Sequence, residues 1–398
     1  MTRLRTESVC SRAASEGCST SFAALRRGNV RYLIASASAA LANRSLRTAA
    51  QDANLFAGPA RLLIVAHAQF IDAAQTLADA RRAEGWSVDV VDVAQVYRQF
   101  GLGAVDASAI RNYLVRAAAD RATSHVLLFG GDSYDYHNNL GLQTISHLPS
   151  SYVGYDSISR YVPSDSDLAD LNRDGIPDLA IGRLPARTQA EAQAMVAKLL
   201  LHDTLSSSGR AVMVADRGGY AARTQSLALV MPRDIEVLAL QVDDITNAAA
   251  VRTQLLGAIA AGVDVVNYHG HSAPTRWSFE NILSTSHVAQ VQATAPFIAN
   301  QLGCWNNYYV DPRSDSLARA MLAAPAAAVA ALGPTGLADE FSEEALAGLL
   351  LPMLHDEQLH LGDAILQAKR LLSTQSSTPA KDIQLGFNLL GDPSMRLH

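Results

Sequence analysis

Cysteine is scarce in this chain of 398 residues, which has only Cys10, Cys18 and Cys304. An odd count leaves at least one thiol unpaired, and no CxxC pair offers metal-site spacing. Cys10 and Cys18 fall in a polar segment, whereas Cys304 lies between an apolar run and aromatic residues. Charge is thin as well, at 18% of residues with a net of −6 and no long basic run, which argues against a nucleic-acid partner. No stretch reaches the roughly 18 to 20 uninterrupted apolar residues of a membrane span. The opening MTRLRTESVCSRAASEGC lacks the apolar run of a secretory signal, so no signal peptide is visible. The short run RYLIASASAALA (31–42) reads as an edge strand and turn. The Gly-rich turns LFGGD and NYHGH match neither GxGxxG nor GxxxxGK, which counts against nucleotide binding.

Hydrophobic residues make up 49% of the chain, enough for extensive burial, and the length predicts two domains or subdomains. Residues 1–57 read as an arm or the remnant of an upstream domain. From 58 onward strand and helix patterns alternate: RLLIVA (61–66), a helix over 70–85, SVDVVDV (87–93), a helix over 106–120 capped by Asp106 or Ser108, and HVLLFGG (125–131). This βαβαβ order implies a parallel sheet flanked by helices. The polar stretch 132–177 reads as an elaborated surface loop, followed by a strand DLAIGRL (178–184) and an amphipathic helix over 188–203 opened by Thr188. A second alternation follows SSSG (206–209), with strands RAVMVAD (210–216) and DIEVLAL (234–240) and helices near 221–230, 247–261, 341–354 and 361–372. The predicted division is therefore an α/β subdomain over 58–205 and a second over 206–398.

Two buried strands in the second part end on reactive residues. VDVVNYHGHSAPTRW (263–277) leads into His271, and PFIANQLGCWNN (296–307) leads into Cys304, 33 residues later. Ligands bind at the carboxyl ends of parallel strands. If these strands are neighbours, an imidazole there can exchange a proton with a thiol that attacks peptide bonds. A lone Cys after an apolar run is also a common buried, inert residue. Spacing leaves both readings open.

NYHGHSAPTRW (267–277) resembles the NYTGHGSETAW stretch of the gingipain family of cysteine peptidases, in the caspase-like clan. PFIANQLGCWNNYYVDPRSDSLARAML (296–322) is similar to the segment that carries that family's catalytic Cys. HVLLFGGDSYDYHNNL, DLAIGRLPART and NLLGDPSMRL match further stretches in the same order, so the resemblance covers about 58–398. It implies a caspase-like three-layer α/β/α fold, mostly parallel sheets in two adjoining subdomains. It implies a cysteine endopeptidase with Cys304 as nucleophile and His271 as acid/base, needing no cofactor. The backbone N–H groups of Ser272 and Cys304 would hold the oxyanion. It further implies polypeptide substrates, additional domains beyond this chain, and an extracellular or cell-surface location.

The sequence departs from the family at Ser272, where the family has Gly. The position tolerates Ser if its φ is negative and is strained otherwise. His269 is a rival to His271. The register of the Asn-Tyr and Trp positions favours His271.

Acidic residues upstream complete the expectations. Asp132 either orients His271 or caps the next helix, and Asp135 is a weaker candidate. Asp165, with Asp167 as a near rival, lies where arginine-specific members carry the aspartate that reads a basic side chain, and otherwise is a solvated loop carboxylate. DLNRDGIPD places Asp170, Asn172, Asp174 and Asp178 at positions 1, 3, 5 and 9 of a calcium loop with Gly175 at 6, but Ile181 replaces the Glu at 12. A structural Ca2+ site and a plain Asn/Asp/Gly turn both fit. Trp305, Tyr308 and Tyr309 line the substrate cleft or pack on a helix near 315–323. The rival to a peptidase is an inactive gingipain-like binding or assembly module.

Overall fold

The computed structural model describes residues 6–9, 19–22, 52–155, 158–245, 247–375 and 380–397. Cys10, Cys18 and the 31–42 run lie outside them. The chain divides into two compact units, Met1–Gln51 and Asp52–His398. In the first, Thr6–Val9 pairs antiparallel with Ser19–Phe22.

The second unit is built on one ten-stranded sheet. Its strands in chain order are β1 (Leu62–Ala66), β2 (Val88–Asp92), β3 (His125–Phe129), β4 (Ala180–Leu184), β5 (Arg210–Ala215), β6 (Glu236–Gln241), β7 (Val265–His269), β8 (Ile298–Leu302), β9 (Ala330–Pro334) and β10 (Phe387–Leu390). Across the sheet the order is β6-β5-β7-β8-β9-β10-β4-β3-β1-β2. Every neighbouring pair is parallel except β9 with β10. The strands β1, β3, β7, β8 and β9 are buried at every position; β1 accordingly reads as a continuous apolar run, whereas β7 and β8 also bury Asn267, His269, Asn300 and Gln301. The edge strand β6 instead exposes Glu236 and Leu238.

The expected two sheets are thus halves of one. The join is β10, the last strand, which sits between β9 of the second half and β4 of the first. Gly182 permits this: a Cβ there would lie 2.4 Å from the Gly391 carbonyl oxygen. The chain passes from one half to the other between the helix Gln189–His202 and β5, around the predicted joint at 206–209. Both halves share a strand order, β2-β1-β3-β4 and β6-β5-β7-β8, with a topological switch between β1 and β3 and another between β5 and β7. Crevices open outside strand carboxyl ends at such points. Because the halves run antiparallel, those two crevices face opposite ends of the sheet.

Most predicted helices are present, as Ile71–Ala83, Ala107–Arg121, Gln189–His202, Tyr220–Leu229, Ala248–Ala261, Glu340–Met353 and Leu361–Gln375. Side chains of Asp106, Thr188, Asn247 and Asp339 cap their first turns. The helix Val93–Phe100 was not expected; Asp92 ends β2 and caps it directly. The stretch 132–177 is not a surface loop. It folds into the hairpin Ser151–Val153/Val162–Ser164 and a short helix Ser166–Ala169, with Asp132, Ser133, His147, Ser150 and Asp165 buried. No helix among the described residues is long and apolar enough to cross a membrane.

Candidate active site

Strands β7 and β8 are hydrogen-bonded neighbours in register, with His269 opposite Leu302. The Gly270 N–H extends the ladder by one bond to the Leu302 oxygen (3.0 Å). Gly270 and Gly303 therefore leave the sheet together, followed by His271 and Cys304 on adjacent loops. Glycine is required at both points. A Cβ on Gly270 would fall 2.2 Å from the Asp216 Cβ, and one on Gly303 would fall 2.3 Å from the Gly270 oxygen. His271 is exposed and Cys304 half-buried.

The main chain around His271 is held from several sides. Asp216, buried at the end of β5, accepts the His271 N–H on Oδ2 (3.2 Å), and the Tyr268 hydroxyl donates to the His271 oxygen. The chain then turns into a hairpin, Ser272–Ala273 with Arg276–Trp277. Trp277 is fully buried, stacks on Tyr268 at 4.6 Å and donates its indole N–H to Gln301 in β8 (2.9 Å). An aromatic of that size anchors the hairpin to the sheet through both its area and its one polar handle. Tyr220 stands edge-on to His271 at 5.4 Å, and the exposed Phe279 lies 5.2 Å away.

The Cys304 turn is bonded just as densely. Gly303 donates its N–H to Glu343 Oε1 (2.8 Å), and Asn306 Nδ2 donates to the Gly303 oxygen (3.1 Å). The Ser272 hydroxyl donates to the Cys304 oxygen (2.7 Å) and accepts from Asn306 Nδ2 (2.6 Å), linking the two loops. Trp305 adopts φ 68° and donates its N–H to Gly336 (2.8 Å). A left-handed tryptophan stores about 1 kcal/mol or more of backbone strain, which this framework over-determines. Gly303, Trp305 and Asn307 give their N–H groups to protein acceptors, and among the described residues no other residue takes that of Cys304. Its thiol points at the Ala338 oxygen (3.9 Å). Burial pushes the Cys304 thiol up; main-chain bonding at Ala338 opposes this and Glu343 adds to it.

Ser272 is not among the residues with positive φ, so its side chain imposes no left-handed strain. His269 is fully buried, both ring nitrogens lack partners among the described residues, and burial with the nearby Arg223 pushes its pKa down to about 4. His271 is open to solvent and His269 is not.

The upstream acids lie elsewhere. Asp132 follows β3, whose carboxyl end faces away from those of β7 and β8. It accepts from Ser133 N (2.7 Å), Ser150 N (2.9 Å) and the Ser146 hydroxyl (2.5 Å), with the Tyr136 and Tyr152 hydroxyls at 3.4 and 3.3 Å. It organises its own loop and does not touch His271. Asp135 accepts the N–H groups of Asn139 and Leu140. Asp165 is 1% exposed and forms a two-pronged ion pair with the fully buried Arg183, both bonds 2.7 Å. The basic group it reads is internal. Asp167 accepts from Ser151.

Tyr309 is buried against Asp165 and Ser150, whereas Trp305 is half-buried and edge-on to Tyr308 at 5.0 Å. In the 170–178 turn, Asp170 accepts from Asp174 and Gly175, Asn172 from Asp174, Asp174 from Ile176, and Asp178 from Leu171. The turn is closed by its own bonds. No cluster of three or more His, Cys, Asp or Glu among the described residues is placed to hold a metal ion.

Asp216, Glu343 and Asn306 escaped the sequence reading. Asp216 had a signal, an acid ending a buried strand. Glu343, one of two adjacent acids in a helix, had none.

The chain matches peptidase family C25 over residues 57–398. Its fold is similar to that of the pro- and mature-domain complex of Porphyromonas gingivalis RgpB (TM-score 0.70, 16% identity, 85% of this chain and 80% of that one). It is also similar to the Arg-specific cysteine proteinase gingipain R (TM-score 0.69, 16% identity, 85% and 78%). These likenesses establish a gingipain-type, caspase-like α/β fold. Among curated proteins none matches the chain by sequence.

Proposed function

We propose, from the premise that this chain belongs to peptidase family C25, that it is a cysteine endopeptidase working through Cys304 and His271. The observation that carries the reading is the placement of these two residues one step past paired glycines on neighbouring strands. His271 takes the Sγ proton as sulfur attacks the scissile carbonyl carbon. The tetrahedral oxyanion settles on the N–H groups of Cys304 and Ser272. Collapse breaks the C–N bond, His271 gives its proton to the leaving amine, and a thioester remains. Water, deprotonated by His271, then releases the carboxylic acid and restores the thiol. A raised resting thiol fits this order, in which proton transfer accompanies attack.

Preference for a basic residue before the scissile bond is part of the proposal, but not through Asp165, which Arg183 occupies. Asp339, next to the Ala338 that the thiol touches, and its neighbour Asp382 give that wall an acidic character. Trp305 supplies an adjacent apolar surface. The family setting adds an extracellular or cell-surface place of action and further domains beside this one. A Ca2+ held at Asp170, Asn172, Asp174 and Asp178 would be structural, bracing the turn before β4. Calorimetric titration tests it: heat and a raised Tm support the ion, and their absence removes it.

A positional-scanning peptide library with wild type and Cys304→Ala tests the activity and preference together. Turnover by wild type alone, led by Arg or Lys, supports the reading. Equal turnover by both proteins overturns it. No turnover by either points to the inactive binding module.

A further inference from the structure

Glu343 is anomalous. It is 2% exposed, on the helix Glu340–Met353, and it accepts a main-chain N–H immediately before the nucleophile. No ion pair at Glu343 is present among the described residues, although its helix neighbours Glu340 and Glu344 both pair with Arg223. Such a group is expensive to bury unless it does something there.

We propose that Glu343 is the positioning residue of the Cys304 turn, fixing the Gly303 peptide so that the sulfur and the Cys304 N–H face the substrate carbonyl. This rests on the peptidase reading above. Gly303 is gripped on one side by the Gly270 oxygen and the Ser272 hydroxyl, which leave no room even for a Cβ. On the other side its N–H meets Glu343. With Asn306 on the Gly303 oxygen and Ser272 on the Cys304 oxygen, the three successive peptide groups from Leu302 to Trp305 are each held by a hydrogen bond.

The charge state follows from the surroundings. Burial pushes the Glu343 carboxyl well above the usual range; the Gly303 bond opposes this, and Asp382, Asp339 and Glu340 add to it. Tyr220, on the helix Tyr220–Leu229, and Cys304 itself also interact with it, while Arg223 on that helix is paired with Glu340 and Glu344. A neutral carboxyl can hold the turn without placing a negative charge beside the forming thiolate. Ionisation at alkaline pH would work against the thiolate.

The test compares wild type with Glu343→Gln and Glu343→Leu, each checked for folding by Tm. Gln keeps an Oε1 acceptor and cannot ionise; Leu removes the acceptor. Three quantities are read: kcat and KM, iodoacetamide alkylation of Cys304 from pH 5 to 10, and amide exchange at Gly303. We expect Gln to keep kcat and Gly303 protection, and to alkylate faster than wild type at the alkaline end. We expect Leu to lose Gly303 protection and, because small misplacements of a reacting group are costly, about 10-fold or more in kcat with KM little changed. Unchanged kcat and protection in Leu overturns the proposal, as does damage in Gln equal to that in Leu. If Leu fails to fold, Gln decides alone: loss of Gly303 protection or of kcat in Gln overturns the proposal. If wild type cleaves no peptide, the peptidase reading fails, while exchange and alkylation still decide the role of Glu343.

Discussion

Replacing Asp165 by Ala separates a substrate-reading aspartate from a structural one. In the fold Asp165 faces Arg183, which also donates to the Gly130 and Leu148 oxygens and lies 5.1 Å from the Tyr309 ring. Both members of the pair are buried, with side-chain exposures of 2% and 0%. Removing one partner of such a pair leaves an uncompensated charge and costs about 3–5 kcal/mol. At a few degrees per kcal/mol, Tm should fall by roughly 5–15 °C. The site joins β4 to the loop that carries Tyr309, five residues past Cys304, so activity should fall for all peptides alike. The double variant Asp165→Asn with Arg183→Met should recover part of the loss, since the orphaned charge is gone. Thermal unfolding and the peptide library are the assays. An Asp165→Ala protein with unchanged Tm that loses only its preference for Arg or Lys would refute the reasoning.

Other expectations follow from the same geometry. His271→Ala should lower kcat/KM about 10²- to 10⁴-fold, the usual worth of a general acid/base, while His269→Ala keeps measurable turnover on the same fluorogenic peptide. The reverse ranking would show that the register is wrong. His269 also makes the protein acid-labile. Its folded pKa of about 4 lies below its ordinary value of 6.5, so the unfolded chain binds the proton that the folded one refuses. Its stabilising contribution is complete above 6.5 and is lost as pH falls towards 4, by about 3 kcal/mol. Urea unfolding of wild type and His269→Leu across that window should show the variant's dependence to be flatter. Parallel curves would contradict the assignment.

Leu62–Ala66 was legible because burial on both faces leaves it no polar position, and Val265–His269 was legible from its leading valines although it also buries Asn267 and His269. The helix Val93–Phe100 was hidden because Asp92 serves both as the last residue of β2 and as its cap, and the valines before it share the strand pattern. Nothing local in NLLGDPSMRL says that Phe387–Leu390 enters the middle of the sheet. Its partners Ala331–Pro334 and Arg183 are distant in the chain. At the candidate site, the position of His271 and Cys304 just past two neighbouring strands was readable because each follows a buried strand and one glycine. Asp132 and Asp165 were misplaced for one shared reason. A carboxylate next to a strand looks the same in sequence whether it faces a cleft or an internal donor. Arg183, inside a buried strand, was the clue that a partner acid lay nearby.

The account depends on a protein-activated thiol at Cys304. The most direct measurement is the pH dependence of covalent labelling by an acyloxymethyl ketone probe carrying Arg or Lys, with the modified residue located by mass spectrometry. The account predicts rapid, pH-dependent labelling at Cys304 alone, with a rate that collapses in His271→Ala. Labelling no faster than that of a small-molecule thiol, and indifferent to His271, would contradict it.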